Sequence, residues 1–158
     1  MTSGQAPGFD LPSLAGGRSN LRDLLAAGPV LLAFYKGTCP TCQLTFPFLE
    51  RLHQGRQSGS PQIIAISQDD AATTEEFRRR NKLTFTMLVD PREDGNMRYP
   101  ASNAYGITNV PTLFLVEQDG RISQSFAGFE KGELEKLGER FGVQIFTLAD
   151  RVPVFRPG

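Results

Sequence analysis

Apolar positions fall in short blocks along this chain, and their spacing changes from block to block. Residues 29–35 (PVLLAFY) make a nearly continuous apolar run between Gly28-Pro29 and Lys36-Gly37, the pattern of a central parallel strand buried on both faces. Leu44, Phe48 and Leu52 then recur every four residues, with Phe46 and Leu49 beside them, which predicts a helix packed on that sheet. Residues 62–67 (QIIAIS) repeat the strand signal, and Thr73 with Glu76 reads as a capping box that opens a helix through Phe77 to about residue 82. Thr86 to Val89 is a third apolar run, stopped by Asp90-Pro91; residues 91–100, with Gly95 and Asn96, read as a polar surface loop. Residues 112–117 (TLFLVE) and 121–126 flank Gln118-Asp119-Gly120, where Asp-Gly supplies the positive backbone dihedrals of a tight hairpin. Leu134, Leu137 and Phe141 share one helical face ahead of Gly142, a C-terminal cap, so a last helix covers the sheet. The alternation predicts an α/β domain over residues 1–145, with 146–158 as an irregular tail marked by Pro153 and Pro157.

Composition narrows the function. The chain has 158 residues, enough for one domain that holds together without structural disulfides, and it spends both of its cysteines on one pair. Seventeen basic and seventeen acidic residues leave no net charge, so nothing favours nucleic acid or an anionic membrane surface; a small molecule or another protein is the expected partner. The start, Met1 to Gly8, lacks the basic and apolar regions of a secretory signal, and no apolar run approaches the ~20 residues that span a bilayer. The expectation is a cytoplasmic chain without a membrane segment; composition does not address its oligomeric state.

Cys39-Pro40-Thr41-Cys42 sits where the buried strand gives way to the helix. A disulfide needs α-carbons within roughly 7 Å, and one helical turn brings residues three apart to about that separation. A thiolate is the species that attacks a disulfide, and the free N–H groups and dipole at a helix N-terminus favour negative charge there. Pro40 suits an early helical position, where a missing N–H costs little. Cys39 is thus the candidate nucleophile and Cys42 the resolving thiol. Lys36 reads as a solvated residue at the strand end, His53 as a boundary residue without a catalytic role, and Arg78-Arg79-Arg80 as a solvated helical face beside Glu75 and Glu76.

The order of these parts resembles the thioredoxin fold: a parallel strand, a CxxC at a helix start, a further β-α unit, then Val110-Pro111 leading into a hairpin and closing helix. Within that superfamily the chain is similar to the TlpA-like thiol-disulfide oxidoreductases and their AhpC/TSA (redoxin) relatives. Ala6-Pro7-Gly8-Phe9-Asp10-Leu11-Pro12 with residues 20–24 resembles their N-terminal extension, residues 105–116 their cis-proline segment, residues 119–129 their hairpin, and Pro47 their helix-kinking proline. The resemblance implies a central mixed sheet flanked by helices, with an N-terminal extension and an inserted β-α unit. It implies a cis Val110-Pro111 bond, and a contact surface of Thr38, Pro40, Thr41, Val110 and Pro111 that pairs with an extended substrate chain. It implies no cofactor and no metal. The partners it implies are a protein or small-molecule disulfide and a redox protein that gives or takes the electrons.

Three positions depart from the family pattern. The buried acid that thioredoxin carries six residues before its first cysteine is here Ala33, which leaves water, Glu50 or Asp69 to take the Cys42 proton. The usual aromatic residue before the first cysteine is Thr38, and Thr45 stands where TlpA-like proteins often carry an acid. The Pro40-Thr41 pair resembles neither a typical reductant nor a typical oxidant dipeptide, so the direction of exchange stays open. A thiol peroxidase is the main rival, but its Pro-x-x-x-Thr/Ser-x-x-Cys arrangement is missing: the residues seven and three before Cys39 are Leu32 and Lys36, and before Cys42 they are Tyr35 and Cys39. A zinc half-site lacks ligands, a copper chaperone resembles a CxxxC with a partnering histidine, and a redox-controlled binding module would show a stable disulfide without turnover.

Overall fold

The computed structural model describes residues 4–92 and 98–158. The chain runs β1 (Gly4–Gln5), β2 (Asp10–Pro12), β3 (Arg18–Asn20), α1 (Leu21–Ala26), β4 (Val30–Tyr35), α2 (Pro40–Gly55), β5 (Gln62–Ser67), α3 (Ala71–Arg80), β6 (Thr86–Val89), α4 (Pro100–Ala104), β7 (Thr112–Val116), β8 (Arg121–Ala127), β9 (Phe129–Glu130), α5 (Lys131–Phe141) and β10 (Phe155–Arg156). The main sheet has the order β1-β8-β7-β4-β5-β6. β4, β5 and β6 run parallel, whereas β7 is antiparallel to both β4 and β8, so the sheet is mixed as expected.

β4 lies in the middle and its alternation divides the core. Leu31, Ala33 and Tyr35 face Cys42, Phe46, Leu49 and Leu52 of α2 and Leu134, Leu137 and Phe141 of α5, while Val30, Leu32 and Phe34 face Leu11, Tyr105, Phe114 and Ile122. Every residue of β4 is fully buried, which explains why its apolar run shows no alternation.

Several boundaries differ from expectation, for local reasons. α3 starts three residues before the expected box: Asp70, extended at φ −69° and ψ 171°, caps it by accepting the Thr73 N–H at 2.8 Å. Glu76 pairs forward with Arg80 at 2.5 Å instead of reaching back to Thr73, and Arg78 pairs with Glu75 at 2.5 Å. The inner part of the loop expected at 91–100, Gly95 and Asn96 included, lies outside the described residues, and α4 begins at Pro100. Asp90, wholly buried, holds α4 by accepting the N–H groups of Ala101 (3.0 Å) and Ser102 (2.7 Å). α5 ends at Gly142, whose φ of 71° is the left-handed cap conformation.

The tail is not irregular throughout. Ile145 is 3% exposed, Phe146 packs edge-to-face with Phe48 of α2 at 4.9 Å between ring centres, and Arg51 donates to the Ile145 carbonyl (2.6 Å) and to Asp150 (2.7 Å). From that anchor the chain returns along the domain, and β10 pairs antiparallel with β9, Phe155 against Glu130 and Arg156 against Phe129.

Candidate active site

Cys39 is the N-cap of α2. Its φ of −79° and ψ of 117° are extended, Pro40 takes the first helical position, and its sulfur accepts the Cys42 N–H at 3.2 Å. The same Sγ donates to the Val110 carbonyl at 3.3 Å, and the Cys39 N–H bonds the Lys36 carbonyl at 3.1 Å. Cys39 is half-buried and Cys42 fully buried, both as free thiols. Burial pushes the Cys42 thiol well above the ordinary range; hydrogen bonding to the Lys36 backbone opposes the rise, while Cys39 and the charge on Asp69 add to it. One thiol meets reagents and the other is held protonated in the core, which is the asymmetry that a nucleophile and a resolving thiol need.

The Val110-Pro111 bond is cis and lies opposite the cysteines, as the sulfur–carbonyl contact shows. Thr38 and Pro40 are exposed beside Cys39 and Val110 is half-buried, whereas Thr41 and Pro111 are buried. The end of the chain covers them. The Thr41 hydroxyl donates to the Pro157 carbonyl at 2.6 Å, a Cβ on Gly128 would fall 2.5 Å from the Arg156 oxygen, and one on Gly158 would fall 1.9 Å from the Val110 oxygen. The pattern of residues 146–158 gave no sign of this cover, because the contacts are made mostly by backbone.

Beneath the cysteines, Ala33 and Tyr35 sit on the Cys42 face of β4, both fully buried. The Tyr35 hydroxyl makes no hydrogen bond of good geometry: Ser67 and Thr74, near enough to influence its titration, bond one another at 2.6 Å. Of the two acids considered for the Cys42 proton, Glu50 is committed elsewhere. It accepts the Thr84 N–H at 2.8 Å and hydroxyl at 2.6 Å, two helical turns beyond Cys42. Burial pushes its carboxyl up, but the bonds from Thr84 and Gln54 outweigh this and hold it low. Asp69 stays near the site, accepting the Gly37 N–H at 2.8 Å within electrostatic reach of Cys42. Lys36 is exposed and lines a cleft of about 440 Å³ with Asp69 and Asp70, so its contact with the pair is through its backbone. His53 lies in the last turn of α2, edge-on to Phe85 at 5.9 Å and away from the cysteines.

Known proteins place the chain by family and by fold. A thiol-disulfide oxidoreductase ResA of Geobacillus thermodenitrificans is 31% identical over 124 residues, 78% of this chain and 67% of that protein. The ResA of Halalkalibacterium halodurans is 30% identical over 138 residues, covering 87% of this chain and 73% of that one. The thioredoxin domain of a thiol-disulfide oxidoreductase from Bacteroides vulgatus superposes with a TM-score of 0.75 at 20% identity, covering 89% and 97% of the two chains, and so shares the thioredoxin fold. The model of the AhpC/TSA family matches residues 2–125, and with that span and these relatives the chain belongs to the AhpC/TSA family.

Proposed function

We propose that this chain is a thiol-disulfide oxidoreductase that works through Cys39 and Cys42. One observation carries the reading: an accessible sulfur caps a helix and bonds a second, buried thiol's N–H one turn on, opposite a cis-proline segment. The Cys39 thiolate attacks a partner disulfide, forming a Cys39–partner bond as the partner's S–S bond breaks and its first thiolate leaves to take a proton. Cys42 then gives up its proton and attacks the Cys39 sulfur. The Cys39–Cys42 bond forms, the partner's second thiol is released, and two electrons have passed to it. Reversed, the same steps oxidise a partner dithiol.

The substrates are protein thiols and disulfides, and Thr38, Pro40, Thr41, Val110 and Pro111 form the surface that receives them. Asp69 is the acid best placed to serve the Cys42 proton, with water as the relay. A peroxidase reading finds less support at the thiol: Leu32, seven residues before Cys39, faces the opposite core, and Lys36 lies exposed. Among the described residues no group of three or more His, Cys, Asp or Glu lies close enough to hold a metal ion, and no helix is long and apolar enough to cross a membrane.

A redox titration tests the reading, with the protein equilibrated in graded dithiol buffers, trapped by alkylation and counted by mass. One two-electron transition with a Cys39–Cys42 disulfide is expected, and Cys42→Ser should arrest the cycle as a mixed disulfide on Cys39. If no intramolecular disulfide forms at any potential, the mechanism is wrong.

A further inference from the structure

We propose that residues 154–158 are a built-in occupant of the substrate groove, so that a polypeptide disulfide reaches Cys39 only by displacing them. This rests on the thiol-exchange reading of the same site and adds a competitor to it. The segment lies where an extended peptide would: β10 extends β9, Lys131 N–H donates to the Val154 carbonyl at 3.0 Å, and Thr41 donates to the Pro157 carbonyl at 2.6 Å. Its last residue is against Val110, whose carbonyl also takes the Cys39 thiol bond. Thr41 and Pro111, two of the five surface residues, are buried beneath it.

Its two ends are held very differently. Upstream, Ile145, Phe146 and the Arg51 bonds to Ile145 and Asp150 fix the tail to α2 and α5. Downstream the grip is by backbone hydrogen bonds, while Val154 and Phe155 point outward at 77% and 51% exposure. Hydrogen bonds that water can replace contribute little net, so this end releases while the anchor holds. Gly128 and Gly158 let the backbone come this close, since a Cβ at either position would overlap a carbonyl oxygen. Small disulfides approach the half-buried Cys39 sulfur without needing the length of the groove. The segment therefore selects by size of partner.

The test compares the full chain with a form ending at Arg151 and with full-length Arg156→Pro, which removes a ladder donor opposite Phe129 and leaves every groove residue intact. Modification of Cys39, located by peptide mass, is timed with iodoacetamide and with a maleimide borne on an unfolded polypeptide. A segment closed about four-fifths of the time slows polypeptide access about fivefold. Both variants should thus react about fivefold faster with the polypeptide reagent and within about twofold of the full chain with iodoacetamide. Synthetic VPVFRPG added to the shortened form should restore the slow rate. If neither variant changes the ratio of the two rates, the proposal fails; if the shortened form does not fold by circular dichroism, Arg156→Pro alone decides. Turnover of insulin and of a small aromatic disulfide is followed in parallel. Absence of both turnovers in every form would sink the exchange reading, while the modification ratio would still judge the occupant.

Discussion

Restoring an acid at Ala33 measures how dry the core beneath Cys42 is. Ala33 is fully buried on the Cys42 face of β4, between Ala65 of β5 and Leu113 of β7, which are themselves fully buried. In Ala33→Asp the new carboxyl leaves water without a cationic partner in that cluster, which raises its pKa by about 3–5 units above the unfolded value near 3.9. At about 1.4 kcal/mol per unit the penalty is about 4–7 kcal/mol once the unfolded chain is ionised, against a total stability of about 5–15 kcal/mol. The folded form holds its proton to higher pH than the unfolded form, so this penalty is absent below about pH 4, grows as pH rises, and levels off near the raised pKa. Overpacking adds about 1–3 kcal/mol that does not depend on pH. Urea unfolding of both proteins at pH 4 and pH 8 separates the two parts, because only the first differs between the two conditions. A loss equal at both pH values within about 1 kcal/mol would refute the reasoning, since water would then reach the Cys42 side of the sheet.

Other substitutions test separate contacts. Tyr35→Phe deletes a buried hydroxyl without a well-formed bond and should stabilise by about 1 kcal/mol, a rise of roughly 2–4 °C in thermal unfolding; a comparable fall would mean that the hydroxyl is bonded after all. Gly138→Ala gains up to about 1 kcal/mol of helix propensity, but its Cβ would meet the Val143 carbonyl oxygen at 2.7 Å, and that backbone contact decides the sign. A net loss of about 1–2 kcal/mol is expected in urea unfolding, and a gain would show that the chain after α5 shifts freely. Arg140 bonds Glu117 at 2.6 Å and holds its carboxyl at about 2, against an ordinary 4.5. Because the folded pKa is depressed, this stabilisation is complete above about pH 4.5 and lost as pH falls through about 2. With Arg140 partly exposed, Glu117→Gln should cost about 1 kcal/mol at pH 7 and only a small part of that at pH 2, followed by thermal unfolding across that range.

The strands and long helices were legible because burial on one or both faces leaves a periodic trace in the side chains. β4, β5, α2 and α5 carry that trace in residues 29–35, in 62–67, in Leu44-Phe48-Leu52 and in Leu134-Leu137-Phe141. The cysteine pair was legible because it is all the sulfur chemistry the chain has besides its methionines. The start of α3 was misplaced because Asp70 and Thr73 are both good caps, and the choice between them rests on Thr74, whose hydroxyl bonds Ser67 in the core. α1 and the β2-β3 pair are too short for a period to appear, although Asn20, which caps α1 by accepting the Asp23 N–H at 2.9 Å, is a signal that could have marked its start. The cover over Thr41 and Pro111 could not be read at all, because carbonyl oxygens and glycine backbones carry it.

The Cys39–Val110 contact ties the oxidation state of the protein to what it offers a neighbour. While Cys39 carries its hydrogen, the thiol occupies one lone pair of the Val110 carbonyl; once the sulfur is in a disulfide, that donor is gone and the lone pair is free to accept from a neighbour. An incoming N–H therefore pairs better with the oxidised protein than with the reduced one. Thermodynamic reciprocity requires the converse: a partner that binds the disulfide form tenfold more tightly lowers the reduction potential by about 30 mV. If Cys39 and Cys42 exchange as proposed, the driving force of the dithiol is a property of the encounter complex, and each partner sets its own.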